Sequence, residues 1–320
     1  MKLGELYKKA VDVGLANDPR TKEEINLFLS KWRKYYDSLS GKEKNFFDSE
    51  LLEHPFADTR ILNGDEDMEV KTVFVGIDID TAEVVLVDGL REKGVDIDAI
   101  ISHHPSARAW AQFYEVMDMQ ADILSHFGVN PVVAETLLRE RKSEVGRKVM
   151  AANHHKALAA AKCLGIAWIC IHTPADNCVT KFLRDLFDKN APGTLGDVLD
   201  ILYDIPEYQE GARRGIPPVI LLGSRTSKAG KIMVDMTGGT EGPKENFEYL
   251  ARAGIGTIVG MHFSEEHYRK AKDAKINLII AGHMSSDTLG LNLLLDKIEE
   301  TLGELNVIEG AGFYRIKHTS

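Results

Sequence analysis

From Lys71 onward the chain alternates short apolar runs with stretches of helical periodicity, and no other feature narrows its fold as much. Parallel strands need long crossovers, so this texture points to an α/β architecture in which helices cover the sheet faces. Strands are expected at residues 72–79, 84–87, 99–102, 131–134, 167–171, 219–222, 231–235, 257–259, 278–281 and 306–309. Helices are expected at 146–164, 179–187, 244–253 and 289–302. Residues 1–55 repeat apolar positions three and four apart, with Thr21 placed to cap a helix, so they read as a helical preface. The polar stretch 63–69 is a natural connector. A second discontinuity at Asn190-Ala191-Pro192-Gly193 divides the remainder. The expected organisation is therefore a helical extension and connector over 1–70, a first α/β lobe over 71–190 and a second over 191–320.

Composition excludes several classes. A chain of 320 residues with 44% hydrophobic residues can bury a substantial core. Its formal net charge of −10 argues against phosphate-neutralising nucleic-acid binding, which needs a concentrated basic surface. Cys163, Cys170 and Cys178 are odd in number and lack the spacing of a structural zinc site, so they are expected as reduced thiols. Without an apolar run near 20 residues or a leading signal pattern, a cytoplasmic, non-membrane protein is expected.

The histidines carry the chemistry. Three apolar runs end in one, where an α/β sheet presents the carboxyl ends of its strands to a crevice. The first runs into Ser102-His103-His104-Pro105. Adjacent side chains on an extended segment diverge, so His103 and His104 are suited to two neighbouring ions rather than one, or one simply ends the strand while the other faces water. The second is Ile171-His172-Thr173-Pro174-Ala175-Asp176, where Asp176 could equally cap a helix. The third is Ala281-Gly282-His283-Met284-Ser285-Ser286-Asp287, where the four-residue offset puts His283 and Asp287 on one helix face. Ser285 or Ser286 as a cap is the plainer alternative.

Taken together, these places supply imidazole nitrogens and carboxylate oxygens, the mixture that suits zinc, manganese, iron or nickel. Buried together without cations they would be costly, and a two-metal centre offsets that charge. Phosphate loops, the Gly-x-Ser-x-Gly turn and His-Glu-x-x-His are absent from the sequence. The glycines of Gly238-Gly239-Thr240-Glu241-Gly242 read as a tight turn. His154 and His155 read as ordinary interior or surface histidines. His262 and His267 read either as crevice-lining or as a solvated helix start.

The ordered set His103-His104-Pro105, His172-Thr-Pro-Ala-Asp176 and Gly282-His283-Met-Ser-Ser-Asp287 resembles the Nif-three-like family, often labelled GTP cyclohydrolase I type 2. The similarity runs over roughly residues 59–318 and includes Gly76-Ile-Asp-Ile-Asp and the approach Gly94-Val-Asp-Ile-Asp-Ala-Ile-Ile. The resemblance implies two related α/β lobes around a dinuclear metal cleft. It implies two divalent ions held by His103, His104, Asp176, His283 and Asp287, with His172 orienting a ligand or exchanging a proton. It further implies a homo-oligomer and a metal-dependent hydrolase for a small nucleotide-like or phosphorylated substrate, or alternatively a non-catalytic metal-binding scaffold or regulatory interaction protein. The sequence departs from the family pattern in three ways. The last acidic position is usually glutamate and is Asp287 here, Pro174-Ala175 replaces Asn-Leu, and a Trp-Asp-Asn entry is missing near the N-terminus.

Overall fold

The computed structural model describes residues 1–318 and arranges nine strands in two sheets of one design. In chain order these are β1 (Arg60–Asn63), β2 (Thr72–Gly76), β3 (Ala99–Ser102), β4 (Ala167–Cys170), β5 (Val219–Leu222), β6 (Lys231–Asp235), β7 (Ile255–Gly260), β8 (Asn277–Ile280) and β9 (Asn306–Glu309). The first sheet has the order β1-β4-β3-β2-β9 and the second β5-β8-β7-β6. In each, parallel strands are flanked by one antiparallel edge strand, β1 on β4 or β5 on β8, and each edge strand carries a register shift near its centre. The two lobes are thus related in topology although no residue-level repeat is visible. The chain is an α/β fold of two such lobes.

Two helices, Thr173–Asn190 and His283–Leu302, form the layer that the lobes share. Ala175, Cys178, Leu291, Leu294, Leu295 and Ile298 join the core of the first sheet. Val179, Leu183, Phe187 and Leu289 join the core of the second. Each helix follows directly from a strand, β4 or β8, so its N-terminus opens at the carboxyl end of a sheet. The helices cross closely: a Cβ on Gly290 would stand 2.5 Å from the Ala175 carbonyl oxygen.

The preface is more integral than an extension. In the helix Leu3–Ala16, Leu3, Leu6, Ala10 and Val13 are buried in the first core, and a Cβ on Gly14 would meet Cβ of Pro174 at 2.6 Å. β1 likewise belongs to the first sheet, and β9, expected with the second lobe, pairs with β2 in the first. The helix Lys22–Ser38 buries only Ile25.

Two expected strands are helical. Residues 84–87 lie inside the helix Thr81–Glu92, because Asp80 and Glu83 form a capping box that starts a helix despite the β-branched run. Residues 131–134 begin the helix Pro131–Met150, where Asn130 accepts from the Val132 amide and proline occupies the first turn. The expected helix over 146–164 is broken: Pro131–Met150 ends, a turn follows, and Lys156–Cys163 begins anew. The remaining expected strands are present, with ends displaced by at most three residues.

Gly290→Ala forces the two shared helices apart and is expected to lower stability by about 1–3 kcal/mol. Chemical denaturation measures this, and an unchanged midpoint would show that the crossing has slack.

Candidate metal centre

β3 ends at Ser102, and the next two amides stay tied to the neighbouring strand's extension: His103 N–H donates to the Gly76 carbonyl and His104 N–H to the Ile77 carbonyl, each at 3.0 Å. Both rings reach one carboxylate from different sides. His103 Nε2 lies 3.4 Å from Asp287 Oδ1, and His104 Nε2 lies 3.4 Å from Asp287 Oδ2. His283 Nε2 lies 3.5 Å from the same Oδ2, and His103 Nε2 also lies 3.4 Å from Asp176 Oδ1. The divergence expected for adjacent side chains is not seen: the two rings converge, with centroids 5.2 Å apart, and each reaches a different oxygen of Asp287.

These separations are not hydrogen bonds. His103 Nε2, Asp176 Oδ1 and both Asp287 oxygens are buried without any hydrogen-bond partner. Orphaned buried polar atoms are expensive, more so when charged. Their spacing fits a cation. Donors held about 2.0–2.2 Å from a tetrahedral divalent ion stand roughly 3.3–3.6 Å apart. Two three-residue groups have donor atoms that all lie within 4.8 Å of one another, His103-Asp176-Asp287 and His104-His283-Asp287, and Asp287 belongs to both. His103, His104 and His172 form a third such group.

The second layer of contacts leaves the donors free. Asp78 Oδ1 accepts a 2.7 Å hydrogen bond from His104 Nδ1, and the Ile171 carbonyl accepts from His103 Nδ1 at 3.3 Å. An acceptor at Nδ1 keeps a proton there, so Nε2 is the nitrogen that each ring turns to the cluster and that would lose its proton to a bound cation. Burial pulls His103 and His104 down, but the Asp287 and Asp176 carboxylates outweigh it and push His103 up to about 10; Asp287 and Asp78 similarly push His104 up to about 9. Burial likewise opposes ionisation of Asp287, yet the surrounding imidazoles hold it well below the usual carboxylate range. Each shift expresses the same demand for positive charge between rings and carboxylates.

Both helices start six residues before the expected 179 and 289, so Asp176 and Asp287 lie inside them and the plain capping alternatives do not apply. The helix Thr173–Asn190 is capped at His172 and the helix His283–Leu302 at Gly282, whose φ of 113° suits glycine. Asp176 then projects from the first turn, where the helix N-terminus favours an anion, whereas Asp287 lies just past the first turn of its helix, one turn on from His283.

His172 sits beside the cluster, its ring centroid 4.8 Å from that of His103, and its Nε2 lies 3.8 Å from Asp176 Oδ2. Its Nδ1 donates to Asp58 Oδ2 at 2.7 Å, and the Thr173 hydroxyl donates to the same oxygen at 2.6 Å. Burial pushes the fully buried Asp58 carboxyl up, but these donors outweigh it and hold it below its ordinary value. Asp58 was not legible in the sequence: it precedes β1, and only the antiparallel pairing of Arg60 with Cys170 carries it to the end of β4. Asp78 had a faint signal, two residues beyond an apolar run.

A cavity of about 400 Å³ adjoins the centre. It is lined by His104, His172, Asp176, His283 and Asp287 on one side and by the end of β6, the 239–242 loop and His262 on another. Gly238 and Gly239, at φ 99° and 87°, turn this loop, and the Gln120 amide pins it through 2.7 Å hydrogen bonds to the Gly238 and Thr240 carbonyls. The tight turn is thus also a cavity wall. His262 and His267 line the cavity; His154 packs instead on Trp110, with ring centroids 5.0 Å apart. Among the described residues, no helix is long and apolar enough to cross a membrane.

No family model matches the chain, and no curated protein matches it. Solved structures do. A NIF3 superfamily protein from Sphaerobacter thermophilus is 26% identical, with a TM-score of 0.67 over 80% of this chain and 92% of that one. Reduced HcgD from Methanocaldococcus jannaschii, 16% identical, shares the fold with a TM-score of 0.50 over 85% of this chain and 97% of that one. The two-lobed α/β fold is that of the NIF3 superfamily protein, and the likeness at 26% identity supports a divergent relation to the Nif-three-like family.

Asp58→Ala strips the acceptor from two buried donors, and a loss on the order of 1–3 kcal/mol for each is expected in chemical denaturation. An unchanged midpoint would mean that Asp58 does not anchor His172.

Proposed function

We propose that the protein is a dinuclear metal-dependent hydrolase acting on a small nucleotide-like or phosphorylated molecule. The ligands are His103, Asp176 and Asp287 for one ion and His104, His283 and Asp287 for the other, in a composite site to which both lobes contribute. One observation carries the reading. The His103 and Asp287 side chains are 1% and 0% exposed, whereas His104 and His283 are 25% and 38% exposed and line the cavity. Three protein donors opening on a ligand-sized space is the arrangement of a catalytic rather than a saturated structural site.

Bound divalent ions would supply Lewis acidity and activate water at neutral pH, with zinc, manganese, iron and nickel all compatible with the donor set. The chain's own residues do the rest. His103 and His104 turn Nε2 toward the cluster because Ile171 and Asp78 occupy Nδ1. His172, fixed through Nδ1 by Asp58, presents Nε2 near Asp176 at the cavity edge, where it can take a proton from the attacking group and return it to the leaving group. Lys and Arg are absent from the described cavity lining, so substrate phosphate would be met at the metal end, and the rest of the cavity favours the heterocyclic half of a nucleotide-like molecule.

Elemental analysis of purified protein is expected to find close to two divalent ions per chain. His103→Ala with His104→Ala should lose them while the protein stays folded by circular dichroism. Full metal content in that double variant would sink the ligand assignment. Metal-dependent turnover of nucleotides or phosphoesters, abolished by chelator, is the expected activity; metal without turnover would instead identify a scaffold.

A further inference from the structure

Every carboxylate around the cavity but one has a hydrogen-bond partner or a place in the His/Asp cluster. Asp78 accepts from His104. Glu241 accepts from the Ser264 amide at 2.6 Å and lies 3.5 Å from both His262 and His267. Asp176 and Asp287 belong to the metal-binding cluster. Asp235, also in the lining, makes no hydrogen bond or ion pair with any described residue.

Its position is built rather than incidental. Asp235 is the last residue of β6 and pairs in register with Gly260 of β7, which places no side chain beside it. Two residues on, the Thr237 hydroxyl donates to Asn177 Oδ1 at 2.7 Å, tying the strand end to the shared helix that carries Asp176. The Asp235 side chain is exposed to the cavities it lines, where partial desolvation and the nearby Glu241 push its carboxyl up to about 6 against the opposing pull of His267 and His262.

The remaining walls set the shape of a ligand. Trp110 and Phe113 from the first lobe and Phe263 from the second contribute aromatic surface, and Met236 and Met261 add polarizable sulfur. A space of about 400 Å³ takes one or two fused rings with substituents, near the lower end of small-ligand pockets. Lys and Arg are absent from the described lining, and away from the cluster the imidazoles of His262 and His267 are already turned to Glu241, so little is left there to hold an anionic group. An unpaired carboxylate does, however, match two adjacent N–H donors, which it can accept in parallel.

We propose that Asp235 determines the specificity of this cavity, accepting two neighbouring N–H groups from the edge of a flat nitrogen heterocycle whose faces lie against Trp110, Phe113 and Phe263. This deepens the proposed function by naming the substrate class, and it rests on that reading only for the assignment of the cavity as a substrate site.

Isothermal titration of the full chain with guanosine and with inosine tests it, since the two differ by the amino group beside the ring N–H. Guanosine is expected to bind on the order of tenfold or more tighter than inosine. Asp235→Asn, nearly the same in shape, should lower guanosine affinity by a similar factor and bring the two nucleosides to near equality, with its thermal midpoint close to that of the parent. Equal binding of the two nucleosides by the parent, or an unchanged preference in Asp235→Asn, would overturn the proposal. Repeating the titration on chelator-treated protein separates the two readings. A retained, Asp235-dependent preference there, in a protein that showed no metal-dependent turnover before chelation, would support the heterocycle site while removing the hydrolase. Metal-dependent turnover without any effect of Asp235→Asn would do the reverse.

Discussion

The structure turns on one fully buried carboxylate. Asp287 has no hydrogen-bond partner at either oxygen, and three imidazoles, those of His103, His104 and His283, face it at 3.4–3.5 Å. A bare carboxylate in such a place costs several kcal/mol, and the fold spends two strand ends, a glycine cap and a helix N-terminus on holding it there. The surrounding atoms keep the inner nitrogens of His103 and His104 free, because Asp78 and the Ile171 carbonyl occupy their outer ones. The donor types and their spacing suit a divalent cation.

The architecture explains why neither lobe would suffice. His103, His104 and Asp176 come from the first sheet and the helix that leaves it, whereas His283 and Asp287 come from the helix that leaves the second. Those two helices are held between the sheets and touch backbone to side-chain position at Gly290 and Ala175. Relative movement of the lobes would therefore move Asp176 against Asp287. The N-terminal helix braces the same region, since Gly14 lets it lie directly on Pro174, two residues before Asp176.

Much of this was readable in the sequence, for identifiable reasons. Strand-terminal histidines announced themselves because a buried parallel strand is a near-continuous apolar run, and its end is sharp. The four-residue offsets His172 to Asp176 and His283 to Asp287 are local helix geometry and need no knowledge of the tertiary fold. Asp58 was invisible for the opposite reason, since it reaches His172 only through the pairing of β1 with β4; Asp235 ends the expected strand 231–235, but nothing local tells that the cavity opens at that strand end. The misread stretches 84–87 and 131–134 are β-branched runs in which the capping residues Asp80 and Asn130 prevailed. The preface looked separable because its periodicity was visible, whereas the surface it would cover, formed by β1 and the helices Thr173–Asn190 and His283–Leu302, was not.

The central claim is that Asp287 is shared by two cations, and anomalous diffraction from crystals grown with manganese or zinc tests it most directly. Two anomalous peaks are predicted, one among His103, Asp176 and Asp287 and the other among His104, His283 and Asp287, with one Asp287 oxygen toward each. A cluster free of anomalous density at saturating metal, or a single ion that leaves Asp287 outside its ligand set, would contradict the account.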